Sequence, residues 1–323
     1  MKNKTITIQD KSLGSRHGLF KVLRPAFLTV FLGLAPLVSG SNFNTLWYDG
    51  NAEISTYEIS EMRYGEPRQG TRVMVFVTEP LRLETGIKPD VKLPQKEKVN
   101  VMKLNDIRKF PTGVYDYSVM TSVFSAVEKR DNIPMFGTMK VSFTSQEWCG
   151  NVFERMLRRD GQYHGELFSY FESEGESAYI IPHQGRIEAE ENLWILIREL
   201  EGPVLEYGES REITVTPSMW SRRKAHSTPR TVTGTLSKGP PGKTSTPLGE
   251  FESVTFTWML ETGTTEVQVE KAWPHRILSW TEPDGSVGAL KASSREPYWQ
   301  QNGNEDSQLR SKLGLRLQSA PTL

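Results

Sequence analysis

From Ala52 to Thr281 the chain keeps alternating apolar and polar residues, and Gly, Pro or Asp interrupts the pattern at short intervals. No other feature limits the fold as severely. A period of two puts successive side chains on opposite faces of a strand and conflicts with the roughly 3.6-residue repeat of a helix. In ESVTFTWML, residues 252–260, Val254, Phe256, Trp258 and Leu260 share one face and Thr255 and Thr257 the other. That is the signature of a half-buried sheet. TRVMVFVTEP, residues 71–80, is apolar on both faces and predicts a central, doubly covered strand ended by Pro80. Similar runs recur along the chain. The expectation is a mainly β fold of at least ten antiparallel strands, arranged as a large curved antiparallel sheet or half-open barrel.

One segment breaks the rhythm. IEAEENLWILIREL, residues 187–200, places Ala189, Leu193, Leu196, Ile197 and Leu200 on one helical stripe, and Gly202 and Pro203 stop it. It predicts the one principal helix, packed against the sheet. Its acidic start, EAEEN, is read as complementing the helix macrodipole. The core is expected to include Val73, Val75, Val77, Val141, Phe143, Phe168, Trp194, Phe256 and Trp258. With 323 residues, 37% of them hydrophobic and eight of them Trp, the chain has material for such a core.

The first 40 residues differ from the rest. Six basic residues against Asp10 precede PAFLTVFLGLAPLVSG, an apolar stretch too short to span a bilayer comfortably and broken by Pro36. This reads as a signal peptide over residues 1–40 with cleavage near Gly40 and Ser41, delivering the chain to the periplasm or cell envelope. An uncleaved N-terminal anchor is the other reading. The remainder carries 33 basic and 38 acidic residues, a balance that argues against non-specific nucleic-acid binding. One cysteine excludes an intrachain disulfide, so packing must hold the fold. The expected organisation is a β domain over residues 41–299, with a subdivision or a long hairpin loop near 227–250, and a polar tail over 300–323 with a short helix near Asp306 to Leu313.

Several motifs fail on their chemistry. SKGPPGKT, residues 237–244, ends like a phosphate loop, but Ser237 stands where the first glycine is required and Pro240, Pro241 and Pro247 prevent the following helix. A solvated loop is expected. DGSVG, Asp284 to Gly288, is out of step with a nucleophile elbow and reads as a turn. MLRRDG and WSRRKAH read as solvated loops or strand ends. The five histidines have no metal-ligand spacing, so no metal and no cofactor is assigned.

The candidate functional cluster is Gln146, Glu147, Trp148, Cys149 and Gly150. If alternation persists from Met139, Val141, Phe143, Ser145, Glu147 and Cys149 share one face, which sets Glu147 among apolar residues and predicts a bulge near Ser145 or Gln146. Glu147 should then accept hydrogen bonds from a basic residue or backbone amides. Trp148 should pack under a neighbouring strand or line a cleft, Gly150 should let the chain turn, and Cys149 is read as small, buried and unreactive. The competing reading is a thiol enzyme in which His164 serves Cys149 as base.

LWYDGNAEISTYEI, RYGEPRQGTRVMVFVTE, KVSFTSQEWCG, ENLWILIREL and PYWQQNGNEDSQLRSKLGL together resemble an exported bacterial family, usually lipoproteins, many of whose members carry the label septum formation inhibitor Maf. The chain lacks the serine-proline-arginine-arginine motif and the α/β rhythm of true Maf nucleotide pyrophosphatases. It also has Ser41 where the resemblance implies a lipidated cysteine, so attachment to the membrane is expected to be peripheral at most. The resemblance implies an envelope protein of uncharacterised biochemical role. The function expected is non-enzymatic binding of a lipid, a glycan or an envelope protein; the alternatives are the thiol enzyme and a structural subunit of an envelope complex.

Overall fold

The computed structural model describes residues 41–130, 133–182 and 185–316. The expected leader and the last seven residues lie outside them. After α1 (Ser41–Trp47), eight strands follow one another as antiparallel neighbours: β1 (Ala52–Arg63), β2 (Glu66–Arg82), β3 (Lys98–Thr112), β4 (Tyr115–Ala126), β5 (Thr138–Glu147), β6 (Gly150–Arg159), β7 (Gln162–Ser169) and β8 (Glu176–Ile181). The chain then passes to the opposite edge of the same sheet and builds inward again. Here come β9 (Ile187–Ala189), α2 (Glu190–Leu196), β10 (Ser210–Thr216), α3 (Met219–Ala225), β11 (Val232–Thr246), β12 (Gly249–Leu260), β13 (Gly263–Glu270), β14 (Ile277–Thr281) and β15 (Val287–Glu296). The described part of the tail includes α4 (Leu309–Lys312). β15 pairs with β1, so the two halves join in one sheet of 15 strands that stays open, with β8 and β9 as its edges. The protein is mainly β, as the alternation predicts.

Tight turns make this meander. Asp160 and Gly161 both take positive φ, 49° and 73°, in the two-residue link between β6 and β7. Such a primed turn matches the twist of antiparallel strands, and Asp-Gly adopts it at low steric cost. All neighbouring strands are antiparallel except β9 and β10, which run parallel. The far edge also folds back over the inner face: Glu188 accepts hydrogen bonds from the Thr138 amide and hydroxyl of β5 at 2.8 and 2.6 Å, and Tyr163 of β7 donates to the Ile187 carbonyl at 2.8 Å.

Alternation assigns the faces correctly along most strands. Val254, Phe256, Trp258 and Leu260 are all buried, as are Val141, Phe143, Ser145 and Glu147. β2 is central, yet it continues past Pro80, which pairs with Asn100 on β3. Its inner face carries Arg72, Met74 and Phe76, each essentially inaccessible. Its outer face joins Val75 to Ala52 and Ile54, with the partly buried Val73, Val77 and Leu313 packed against them, so α4 and the tail supply the second cover. Of the expected core, Phe168 is misplaced. It is 48% exposed on β7 near the sheet edge, where it stacks on Phe153 at 6.3 Å.

Three further expectations change. The helix is shorter than residues 187–200, because Ile187, Glu188 and Ala189 make ladder contacts with β10 before the helix starts. Its apolar stripe is nonetheless buried throughout. Two seven-residue helices, α2 and α3, lie over the sheet in place of one principal helix. The Pro- and Gly-rich stretch near 227–250 is largely strand β11, not a solvated loop or a linker. It pairs with β12 from Thr235 to Thr246, and its register shifts between Lys238 and Pro241, so Pro240 falls in the unpaired irregularity and Pro241 resumes the register opposite Val254. The described residues all fall within one compact unit.

Candidate functional site

The inner face of β1, β2 and β3 carries charge where alternation calls for core. Arg72 is in phase with Met74 and Phe76, and Asp106 and Arg108 are in phase with Leu104 and Phe110. Arg72 donates a bidentate pair to Asp106, Nε to Oδ1 at 2.6 Å and Nη2 to Oδ2 at 2.7 Å. Its guanidinium lies in the corner made by the perpendicular Trp194 and Trp280 rings, 4.4 and 4.5 Å from their centroids. Planar, weakly hydrated guanidinium tolerates such a corner because the fork satisfies its donors and the indole faces attract its charge. Trp280 is held there by cross-strand packing over Gly288, where an added Cβ would stand 2.1 Å from the indole.

The network extends through Arg108. This residue bonds Glu61 at 3.2 Å and Glu282 at 3.2 and 3.4 Å. Glu61 also accepts from Trp220 Nε1 at 2.7 Å and Lys224 Nζ at 3.1 Å, and Lys224 reaches Asp284. Burial opposes ionisation of Glu61 and Asp106, but Arg108 and Lys224 hold the first, and Arg72 and Arg108 the second, below the ordinary carboxylate range. A second pair lies alongside: Arg222 meets Glu154 at 2.5 Å, and Tyr179 donates to the same carboxylate at 2.5 Å.

Above this floor α2, α3 and the β14–β15 turn enclose a cavity of about 430 Å³, within the range of small-molecule sites. Trp194, Trp258 and Pro217 give it apolar wall; Arg108, Arg222, Lys224, Glu282 and Asp284 contribute charges already paired with one another or with Glu154 and Glu61. Glu190 and Glu191 differ. Glu190 accepts only neutral donors, the Ser218 amide at 2.8 Å and Trp258 Nε1 at 3.1 Å. Glu191 Oε1 accepts the Met219 amide at 2.6 Å, and its Oε2 is buried without a hydrogen-bond partner. Burial raises both carboxyls, Glu191 to about 7. Glu191 also lines a smaller void of about 20 Å³ beneath the cavity, beside Asp106, Arg108 and Trp194.

The EAEEN acids therefore do not merely complement their own helix. Glu190 and Glu191 meet the amides at the start of α3, a different helix, and Glu188 meets Thr138 of β5. Nor are the WSRRKAH cations a solvated loop: Arg222 and Arg223 are buried on α3, paired with Glu154 and Glu174. A legible signal existed at Arg72, Asp106 and Arg108, where charge keeps step with apolar neighbours on long strands. No local signal marked Glu190 and Glu191, because their burial depends on where α3 and β12 pack.

The sequence-predicted cluster lies elsewhere. Gln146 to Gly150 form the β5–β6 hairpin tip and do not line the cavity. Glu147 is buried and its Oε2 accepts the Cys149 amide at 2.6 Å, as expected of it. No bulge occurs at Ser145 or Gln146, which pair regularly with both neighbours; the register shift falls at the other end of the β4–β5 ladder, near Met139. Alternation ends at Glu147, so the turn residues follow a different rule. Cys149 is exposed rather than buried, and Trp148 is 75% exposed, touching only the Tyr115 ring at 6.4 Å among the described aromatic rings. Gly150 permits close approach of Tyr170, whose ring would lie 2.6 Å from an added Cβ.

The thiol pairing is not assembled. His164 sits opposite Leu157 on β6, seven residues beyond Gly150 and so roughly 23 Å along the strand from the hairpin tip. Hydrogen bonding to the Glu147 carboxylate also raises the Cys149 thiol pKa, which disfavours the thiolate. Among the described residues no group of three His, Cys, Asp or Glu side chains is placed to hold a metal. Nor is any described helix long and apolar enough to cross a membrane, a statement that does not concern β-barrels.

The chain is thus an open, single-sheet β protein with an ion-paired inner face and a cavity roofed by two short helices. Comparison with protein families, with curated proteins and with solved structures finds no match to this chain.

Proposed function

We propose that this chain is a non-enzymatic binding protein of the cell envelope, and that its ligand occupies the cavity between the sheet and the α2–α3 roof. The observation that carries this reading is the cavity itself, whose indole walls adjoin a floor of charges fixed by mutual pairing. Such a floor is preorganised: its side chains are held before a ligand arrives, so little ordering remains to be done on binding. Lipid, glycan and envelope-protein segments are the ligand classes in view, and peripheral contact with the membrane fits the same setting. The basic and apolar leader ending near Gly40 and Ser41 supports export to the periplasm or envelope, as does the resemblance to exported bacterial proteins.

Native mass spectrometry of the protein purified from its own cells without detergent tests the binding function. The expected result is a mass above that of the polypeptide, lost on denaturation. A bare polypeptide mass, together with undiminished function when the cavity is filled by Ser221→Trp, would overturn the reading. N-terminal sequencing of the same sample should start near Ser41.

A further inference from the structure

Resting on the binding reading above, we infer that the cavity is selective for a protonated amine carried on an apolar body, with the ammonium seated against Glu191 and Glu190 and the body along Trp194 and Trp258. The charges lining the cavity differ in which are free to act. Arg108, Arg222, Lys224 and Arg230 all line the cavity, and each forms an ion pair with a protein carboxylate. An anionic ligand would have to dislodge those pairs. Glu190 and Glu191, in contrast, form no salt bridge among the described residues, although Glu191 is 7% exposed. Its Oε2 lacks any hydrogen-bond partner.

A buried carboxylate oxygen without a donor costs free energy, and an ammonium group relieves that cost with a charge-assisted hydrogen bond while supplying the missing positive charge. Ser218 and Ser221 line the same cavity and carry hydroxyl oxygens able to accept its other protons, the Ser218 oxygen already accepting the Ser221 amide at 3.4 Å. The Trp194 and Trp258 rings, T-shaped at 5.6 Å, give apolar wall beside the acids.

The geometry also predicts a proton link. The titratable and charged groups around Glu191 are Glu190 on its own helix, Arg222 on α3, Tyr179 on β8, which donates to Glu154, Asp106 and Arg108 on β3, and Glu282 on the β14–β15 turn. Of these, Arg222, Asp106, Arg108 and Glu282 are locked in ion pairs. Glu191 and Glu190 are the carboxyls left to titrate upward with burial. An ammonium ligand binds the ionised form, so its affinity falls where Glu191 takes up a proton. A group titrating near 7 is mostly ionised about one pH unit above that value and mostly neutral about one unit below it, a change of about tenfold in competent protein.

The test uses the full-length protein and three probes of equal chain length, n-octylammonium, octanoate and 1-octanol, followed by calorimetry and Trp fluorescence. Octylammonium should bind at least about tenfold more tightly than either of the others at about pH 8, and should weaken by about tenfold on going to about pH 6. In Glu191→Gln, octylammonium affinity should fall to about that of octanol, with the pH effect lost. Octanoate or octanol binding as well as octylammonium, or unchanged octylammonium binding in Glu191→Gln, would overturn the amine assignment and leave the binding function standing. Failure of all three probes to bind would likewise overturn the amine assignment, while the binding function is judged separately by the native mass spectrum. Should Glu191→Gln not fold, the probe series and the pH series on the unaltered protein decide the matter.

Discussion

Replacing Glu191 by Gln should make the protein more stable above neutral pH while removing the part of its pH dependence that this carboxyl sets. The folded state raises this carboxyl from 4.5 to about 7 because it is fully buried. The folded protein therefore holds a proton between those two values that the unfolded chain has released. With fewer protons on the unfolded state, stability falls as pH rises, and it falls until the folded carboxyl has also ionised. A tenfold change in proton affinity corresponds to about 1.4 kcal/mol, so ionising Glu191 in place costs about 3 kcal/mol.

Gln keeps an acceptor for the Met219 amide but cannot ionise. Its own amide would lack an acceptor, at a cost of about 1 kcal/mol that does not vary with pH. Urea unfolding of both proteins between about pH 5 and about pH 8 should show their stability difference shifting in favour of Gln by about 2 to 3 kcal/mol. Glu190 is raised in the same direction but is present in both proteins, so it largely cancels in the difference. A stability difference that does not change with pH would refute the reasoning. The gain in stability and the expected loss of amine affinity have one origin, a carboxyl kept where it is destabilising to the apo protein.

Arg72→Ala should lose about 3 to 5 kcal/mol in urea unfolding, since it leaves Asp106 buried without its bidentate partner; Arg72→Lys should recover only part, because an ammonium cannot span both oxygens or fill the corner between Trp194 and Trp280. Gly288→Ala should cost about 1 to 3 kcal/mol, as the new methyl displaces the Trp280 indole; stability unchanged within error would count against that packing. Cys149→Ser and Trp148→Ala should each stay within about 0.5 kcal/mol of the parent, given that both side chains project from an exposed hairpin tip. Iodoacetamide should reach Cys149 in the native protein, but more slowly than it alkylates free cysteine at neutral pH, since the Glu147 carboxylate disfavours the thiolate.

Local pattern carried what depends on neighbours along the chain. The face shared by Val254, Phe256, Trp258 and Leu260 and the buried set from Val141 to Glu147 both follow from the two-residue repeat, which any extended backbone imposes. The same repeat fails at Trp148 and Cys149, because a hairpin turn interrupts it and no periodicity marks where the turn falls. Charge in step with apolar residues at Arg72, Asp106 and Arg108 was present in the sequence, but its partners are spread from β1 to the turn before β15. Pairing of β1 with β15 joins residues 227 to 244 positions apart, and it is this pairing that brings Trp280 and Glu282 to Arg72. The helical stripe of α2 was legible, whereas the burial of Glu190 and Glu191 was not, since the amides and rings that enclose them belong to α3 and β12. A β protein with alternating faces and a short amphipathic helix could be read from the residues in order, because those are properties of neighbours along the chain. Which charges pair, which carboxyl is left without a partner and where a cavity opens were set by folding alone, because each depends on surfaces from distant segments meeting in one place.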